Sequence, residues 1–194
     1  MTTTNEGLST LSQTTIPDLI ERRADEQPND IAYSFIDYEV DPAGVAEELT
    51  WSEVRDRVHV VAAQISKHGS PGDRVAILAP QGLEYVIGFL GAIAAGFIAV
   101  PLSVPQPGQH DERVASALQN CSPAVVLTTS AVVDEVRKYA QSQAGQRSSR
   151  VIEVDALDFD SPAKPVVVES FPKIAYLQYT SGSTRQPAGV EITH

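Results

Sequence analysis

The chain has 194 residues, 14 basic and 25 acidic side chains and a formal net charge of −11. That length suits one domain or two small ones and lets roughly 70% of the unfolded surface be buried, and a composition 42% hydrophobic and 20% charged excludes wholesale disorder. The acid excess excludes nucleic acid, whose phosphates need a basic footprint, and argues against an anionic membrane surface.

Residues 1–14 are rich in Thr and Ser without periodicity and read as a flexible N-terminal tail. Helix signals begin near Thr15, with Pro17 in the first turn and Asp18 at the positive end of the dipole. Ile16, Leu19, Ile20 and Ala24 form an apolar stripe that ends before Pro28. Residues 31–38 (IAYSFIDY) read as a strand, residues 41–44 (DPAG) as a turn, and residues 48–49 as a short returning strand. Thr50 and Glu53 fit a capping box. The helix they open carries Val54, Val58, Val61, Ala62 and Ile65 on one side and is expected to stop at Gly69.

Residues 74–78 (RVAIL) predict a buried strand, followed by a helix running to about Ala95, a break at Gly96 and a strand over 97–102. Within this stretch, residues 86–100 carry no strongly polar side chain, but 15 residues containing Gly88, Gly91 and Gly96 fall short of the roughly 18–20 needed to span a bilayer. No transmembrane segment is expected, and the stretch reads as core. A loop with Pro105 and Pro107 leads to a helix over about 111–120, a strand over 124–128, a helix over about 130–139, a polar loop and a strand over 151–154. Residues 155–173 are irregular, residues 173–179 (KIAYLQY) form another strand, and residues 190–194 begin one more. Strands alternating with helices predict an α/β fold, a parallel-type sheet flanked by helices on both faces, with ligands bound beyond the carboxyl ends of the strands.

A single cysteine, Cys121, permits no internal disulfide, and with four scattered histidines (His59, His68, His110, His194) it builds no zinc site. Cys121 reads as a small residue at the core edge, Trp51 as a packing anchor, and His110 as part of a solvated loop. No secretory signal opens the chain, so the expected compartment is the reducing cytoplasm.

The chemistry-bearing segment follows the strand 173–179: four hydroxyls (Thr180, Ser181, Ser183, Thr184), two glycines (Gly182, Gly189) and Arg185 lie within ten residues. Glycine allows backbone N–H groups to close on a phosphate, hydroxyls add adjustable donors, and Arg185 offers a forked cation. The same composition also suits an ordinary polar turn. It is neither a Walker motif, since no Gly-Lys-Ser/Thr occurs, nor a dinucleotide-binding fingerprint.

Tyr179-Thr-Ser-Gly-Ser-Thr-Arg-Gln-Pro-Ala-Gly-Val190 resembles the phosphate-binding signature YTSGSTGxPKGV of the adenylate-forming enzymes: acyl-CoA synthetases, adenylation domains and luciferases. Leu49-Thr-Trp-Ser-Glu-Val54, Gly72-Asp-Arg-Val-Ala-Ile-Leu78 and Ala95-Gly-Phe-Ile-Ala-Val-Pro-Leu102 resemble three further blocks of that superfamily, in order. Arg185 and Ala188, standing where the wider signature has Gly and Lys, are similar to the fatty acyl-AMP ligases of mycobacterial type that feed polyketide synthases. So are Ile36-Asp37-Tyr38 and residues 79–85.

The resemblance implies a ligase that turns a fatty acid and ATP, with Mg2+, into acyl-AMP and pyrophosphate. It then hands the acyl group to an acyl carrier protein of a polyketide synthase. It also implies that Thr180, Ser181, Gly182, Ser183, Thr184, Arg185 and Gly189 bind the ATP phosphates, Arg185 as a replacement cation. By the same comparison residues 15–194 are the front part of the large N-terminal domain. The magnesium-holding acid, the ribose-binding aspartate and the catalytic lysine of the lid are expected beyond residue 194, leaving the chain alone catalytically incomplete, with limited solubility and weak nucleotide affinity. Two alternatives remain: a short, non-catalytic nucleotide-binding or interaction module, and a long-chain fatty acyl-CoA ligase.

Overall fold

The structure is a computed structural model that describes residues 14–38, 40–106, 111–141, 148–179 and 188–194. Thr15 opens helix α1 (Ile16–Glu26) through a reciprocal capping box. The Asp18 amide donates to the Thr15 hydroxyl at 3.3 Å, and the Thr15 amide donates to the Asp18 carboxylate at 2.9 Å. Ile20 and Ala24 of the stripe are buried, but Leu19 is 39% exposed, because α1 lies against its neighbours along a band narrower than the sequence pattern suggests.

Strands β1 (Ile31–Asp37) and β2 (Val45–Thr50) pair antiparallel as a two-stranded sheet. The turn between them is fixed at Asp41, whose carboxylate accepts from the Ala43 amide at 2.7 Å and whose carbonyl accepts from Gly44 at 2.8 Å. Strand β2 begins three residues earlier than the sequence suggests, since Val45, Ala46 and Glu47 are held by pairing to Asp37, Ile36 and Phe35 rather than by apolar character. Its last residue, Thr50, is the N-cap of helix α2 (Trp51–Ile65), again with a capping box. The Thr50 backbone and side-chain hydrogen bonds hold the Glu53 carboxyl below the usual carboxylate range. The Trp51 ring packs at 6.3 Å from Tyr33. Helix α2 stops at Ile65, short of Gly69, because the Ser66 amide and hydroxyl both donate to the Ala62 carbonyl and the chain turns there.

The remaining elements are β3 (Arg74–Ile77), α3 (Leu83–Ala94), β4 (Ile98–Pro101), α4 (Glu112–Cys121), β5 (Val125–Thr128), α5 (Val133–Gln141), β6 (Arg150–Glu153), a 3₁₀ turn (Val154–Ala156), β7 (Ile174–Tyr179) and β8 (Gly189–Thr193). They build a sheet of order β6-β5-β3-β4-β7-β8 in which every neighbouring pair is parallel except β7 and β8. The α/β expectation holds. Side chains alternate across this sheet: Val75 and Ile77 of β3 pack with α2 and α3, while Ala76 and the following Leu78 pack with α4 and α5. Both faces are therefore covered, which is why these strands read as unbroken apolar runs. The apolar stretch 86–100 divides into α3 and β4, Gly96 turning the chain between them at φ +75. Among the described residues no helix is long and apolar enough to cross a membrane.

Helices α2 and α3 meet closely at Gly91, where an added Cβ would stand 2.5 Å from Val61 Cγ1 and 2.7 Å from Val61 Cβ. Gly91→Ala gains about 1 kcal/mol of helix propensity but forces overpacking that costs about 1–3 kcal/mol. We expect a net loss of stability in urea denaturation. Combining Gly91→Ala with Val61→Ala should cost less than the sum of the two single changes, since the neighbours share one space.

Candidate functional site

Strand β3 has β4 on one side and β5 on the other, and the helices that follow β3 and β5 cover opposite faces. This is the switch point at which an open α/β sheet parts beyond its carboxyl ends. There the Thr128 hydroxyl donates to the Leu78 carbonyl at 2.9 Å. Thr129 Oγ1 is buried without a hydrogen-bond partner among the described residues. The Ser130 amide donates to Asp155 at 2.9 Å, and the Ser130 hydroxyl donates to the same carboxylate. Sequence reasoning missed this group. Its one signal was a Thr-Thr-Ser run closing an apolar strand, which any strand end can show.

The hydroxyl- and glycine-rich segment leaves the carboxyl end of β7, which runs parallel to β4 in the register Ala99↔Tyr176. Strand β8 then returns antiparallel, with Tyr179 opposite Gly189. The segment is thus the connection of a hairpin whose two ends are paired. Of the seven residues assigned by sequence to ATP phosphates, Gly189 is described and sits at that closing pair. Thr180, Ser181, Gly182, Ser183, Thr184 and Arg185 lie outside the described residues, as does His110. A Cβ at Gly189 would come within 3.2 Å of the Tyr179 ring and 3.3 Å of Leu177 Cβ, so the small residue lets β8 lie flat on the tyrosine.

Tyr179 itself is tied to α4: its hydroxyl donates to Asn120 Oδ1 at 2.6 Å. The end of α4 is held in turn by Arg74, whose Nε donates to the Cys121 carbonyl at 2.7 Å. Partial burial raises the Tyr179 phenol pKa, the Cys121 side chain adds to the rise and the Arg74 guanidinium opposes it. The hydroxyl therefore stays protonated at neutral pH, as donation to Asn120 requires. Neither Asn120 nor Arg74 belongs to a recognisable pattern in the sequence, because the contacts join residues 59 and 47 positions apart.

Cys121 is buried, with its thiol directed at the Leu118 carbonyl, and burial pushes its pKa up to about 12. It is a core-edge residue, not a nucleophile. Among the described residues no group of three or more His, Cys, Asp or Glu could hold a metal ion.

The profile of the AMP-binding enzyme family matches residues 20–194, and the chain belongs to that family. Among curated proteins it is 57% identical over 180 residues to the long-chain-fatty-acid–AMP ligase FadD26 of Mycobacterium marinum, covering 92% of this chain and 31% of that protein. It is 51% identical over 197 residues to the 4-hydroxyphenylalkanoate adenylyltransferase of the same organism, covering 98% of this chain and 32% of that protein. Among solved structures, the fatty acyl-adenylate ligase of Legionella pneumophila in complex with acyl adenylate and pyrophosphate superposes with a TM-score of 0.77 at 27% identity, covering 100% of this chain and 32% of that one. The N-terminal domain of FACL13 from Mycobacterium tuberculosis gives a TM-score of 0.74 at 25% identity, covering 94% of this chain and 45% of that one. The chain spans about a third of the length of the curated relatives it matches.

The Cys121 environment makes a direct prediction. At pH 8 the folded chain should react with a disulfide reagent on the order of a hundredfold or more slowly than the denatured chain. Because the folded thiol ionises near 12, the unfolded thiol loses its proton first. Stability should fall as pH climbs past the ordinary thiol value of about 8.5, and less steeply in Cys121→Ala.

Proposed function

We propose that the chain is the front part of an AMP-binding domain, residues 15–194 following a tail over 1–14, of a fatty acid–AMP ligase. The carrying observation is the segment from Tyr179 to Val190, with its hydroxyls, glycines and Arg185 on a hairpin between β7 and β8 in a chain of the AMP-binding enzyme family. The substrates are a long-chain fatty acid and ATP, taken as its magnesium complex. The metal arrives with the nucleotide, and since the described residues form no metal-holding cluster, no step is assigned to a resident ion.

The fatty acid's carboxylate oxygen bonds to the α-phosphorus, and the bond from that phosphorus to the bridging oxygen of pyrophosphate breaks, giving acyl-AMP and pyrophosphate. Negative charge grows on the departing oxygens. Hydroxyls of Thr180, Ser181, Ser183 and Thr184, the close backbone approach at Gly182 and the Arg185 guanidinium stabilise it by placed donors and charge. Gly189 closes the hairpin on Tyr179 beneath them. The acyl group then passes to the thiol of an acyl carrier protein serving a polyketide synthase, in the cytoplasm. The fatty-acid reading is preferred to a 4-hydroxyphenylalkanoate one on the higher identity to the ligase relative, 57% against 51%.

The test is fatty-acid-dependent exchange of labelled pyrophosphate into ATP, using residues 1–194 fused to the part of the Mycobacterium marinum ligase outside its matched region. We expect exchange with long-chain acids, little with 4-hydroxyphenylalkanoates, and a fall of about tenfold to a hundredfold in kcat/KM for ATP in Arg185→Ala. Absence of exchange with every acid sinks the ligase assignment. Exchange that is unchanged in Arg185→Ala removes the role given to that cation alone.

A further inference from the structure

Five of the eight large hydrophobic side chains exposed among the described residues lie on the β1–β2 ribbon or its turn: Ile31, Ile36, Tyr38, Val40 and Val45, from 46% to 72% exposed. Tyr33, Phe35 and Leu49 anchor one face of the ribbon in the core. On the other face Ile36 and Tyr38 close over Gly44, where a Cβ would stand 2.5 Å from Ile36 Cγ2 and 3.0 Å from Tyr38 Cε1. They form one continuous apolar surface, and each strand has one strand neighbour only among the described residues. A two-stranded sheet with an open edge is marginal by itself and invites a further strand.

Charge indicates what kind of strand. Residues 31–50 contain five acidic side chains, Asp37, Glu39, Asp41, Glu47 and Glu48, and no lysine or arginine. A second copy of this ribbon would bring like charges face to face, which destabilises cross-strand pairs. The comparisons supply a source, since the matched region is 31% of the fatty acid–AMP ligase relative and 32% of the Legionella structure. We propose that the β1–β2 ribbon is the docking edge for an extended segment, apolar residues alternating with lysine or arginine, contributed by the part of an AMP-binding enzyme outside this matched third. Backbone hydrogen bonds extend the sheet, the apolar side chains cover Ile36 and Tyr38, and the basic ones meet Glu47 and Glu48.

The experiment compares hydrogen exchange over residues 31–50, and alkylation of a Tyr38→Cys variant in a Cys121→Ala background, between the 194-residue chain and the same chain fused to, or mixed with, the remaining part of the Mycobacterium marinum ligase. Amides of β3 and β5 report folding in every sample. We expect ribbon exchange and alkylation to slow at least tenfold in the longer assembly. Ile36→Lys, or Glu47→Lys with Glu48→Lys, should abolish most of that shielding, while Val167→Lys at an exposed site off the ribbon should not. Shielding in neither the fused nor the mixed sample overturns the proposal, as does shielding unaffected by the ribbon variants. A ribbon already shielded in the 194-residue chain through concentration-dependent self-association also overturns it, assigning the face to a second copy.

Discussion

Strand β3 has no water on either side: Val75, Ala76, Ile77 and Leu78 are all fully buried. Backbone N–H and C=O groups in such a place must be paired by neighbouring strands, or each costs free energy comparable to a lost hydrogen bond. The pairing comes from β4 on one side and β5 on the other, in parallel register. Parallel neighbours in turn require crossovers, and the crossovers are the helices that keep both faces dry. The three-layer arrangement, the switch point between β3 and β5 and the outward placement of the β7–β8 hairpin all follow from satisfying that one strand.

Much of this was legible in the sequence because the signals are local. Capping boxes at Thr15–Asp18 and Thr50–Glu53 are fixed by residues three apart, and a doubly buried strand announces itself as an apolar run. What was not legible depends on partners distant in the chain. The early start of β2 reflects pairing to β1, the exposure of Leu19 reflects how α1 lies on its neighbours, and the early end of α2 reflects Ser66 bonding back to Ala62 in place of a glycine cap.

The site divides the same way. The density of hydroxyls and glycines after β7 could be read directly, and the resemblance of the whole segment to a phosphate-binding signature named its chemistry. The supports of that segment could not be read. Asn120 and Arg74 reach Tyr179 and the end of α4 across more than forty residues, and their residue types are too common to mark a contact. Gly189 is an intermediate case: it stands inside the signature, but its steric reason, the Tyr179 ring against it, appears only once β8 is paired.

The junction at Thr50 has an evolutionary consequence. One residue ends β2 and caps α2, so there is no linker between ribbon and helix. Sister sequences should accept length changes in the turn around residues 38–44 while keeping the 49–54 boundary free of insertions and deletions, because one added residue would rotate every core side chain of α2 by about 100° around the helix axis.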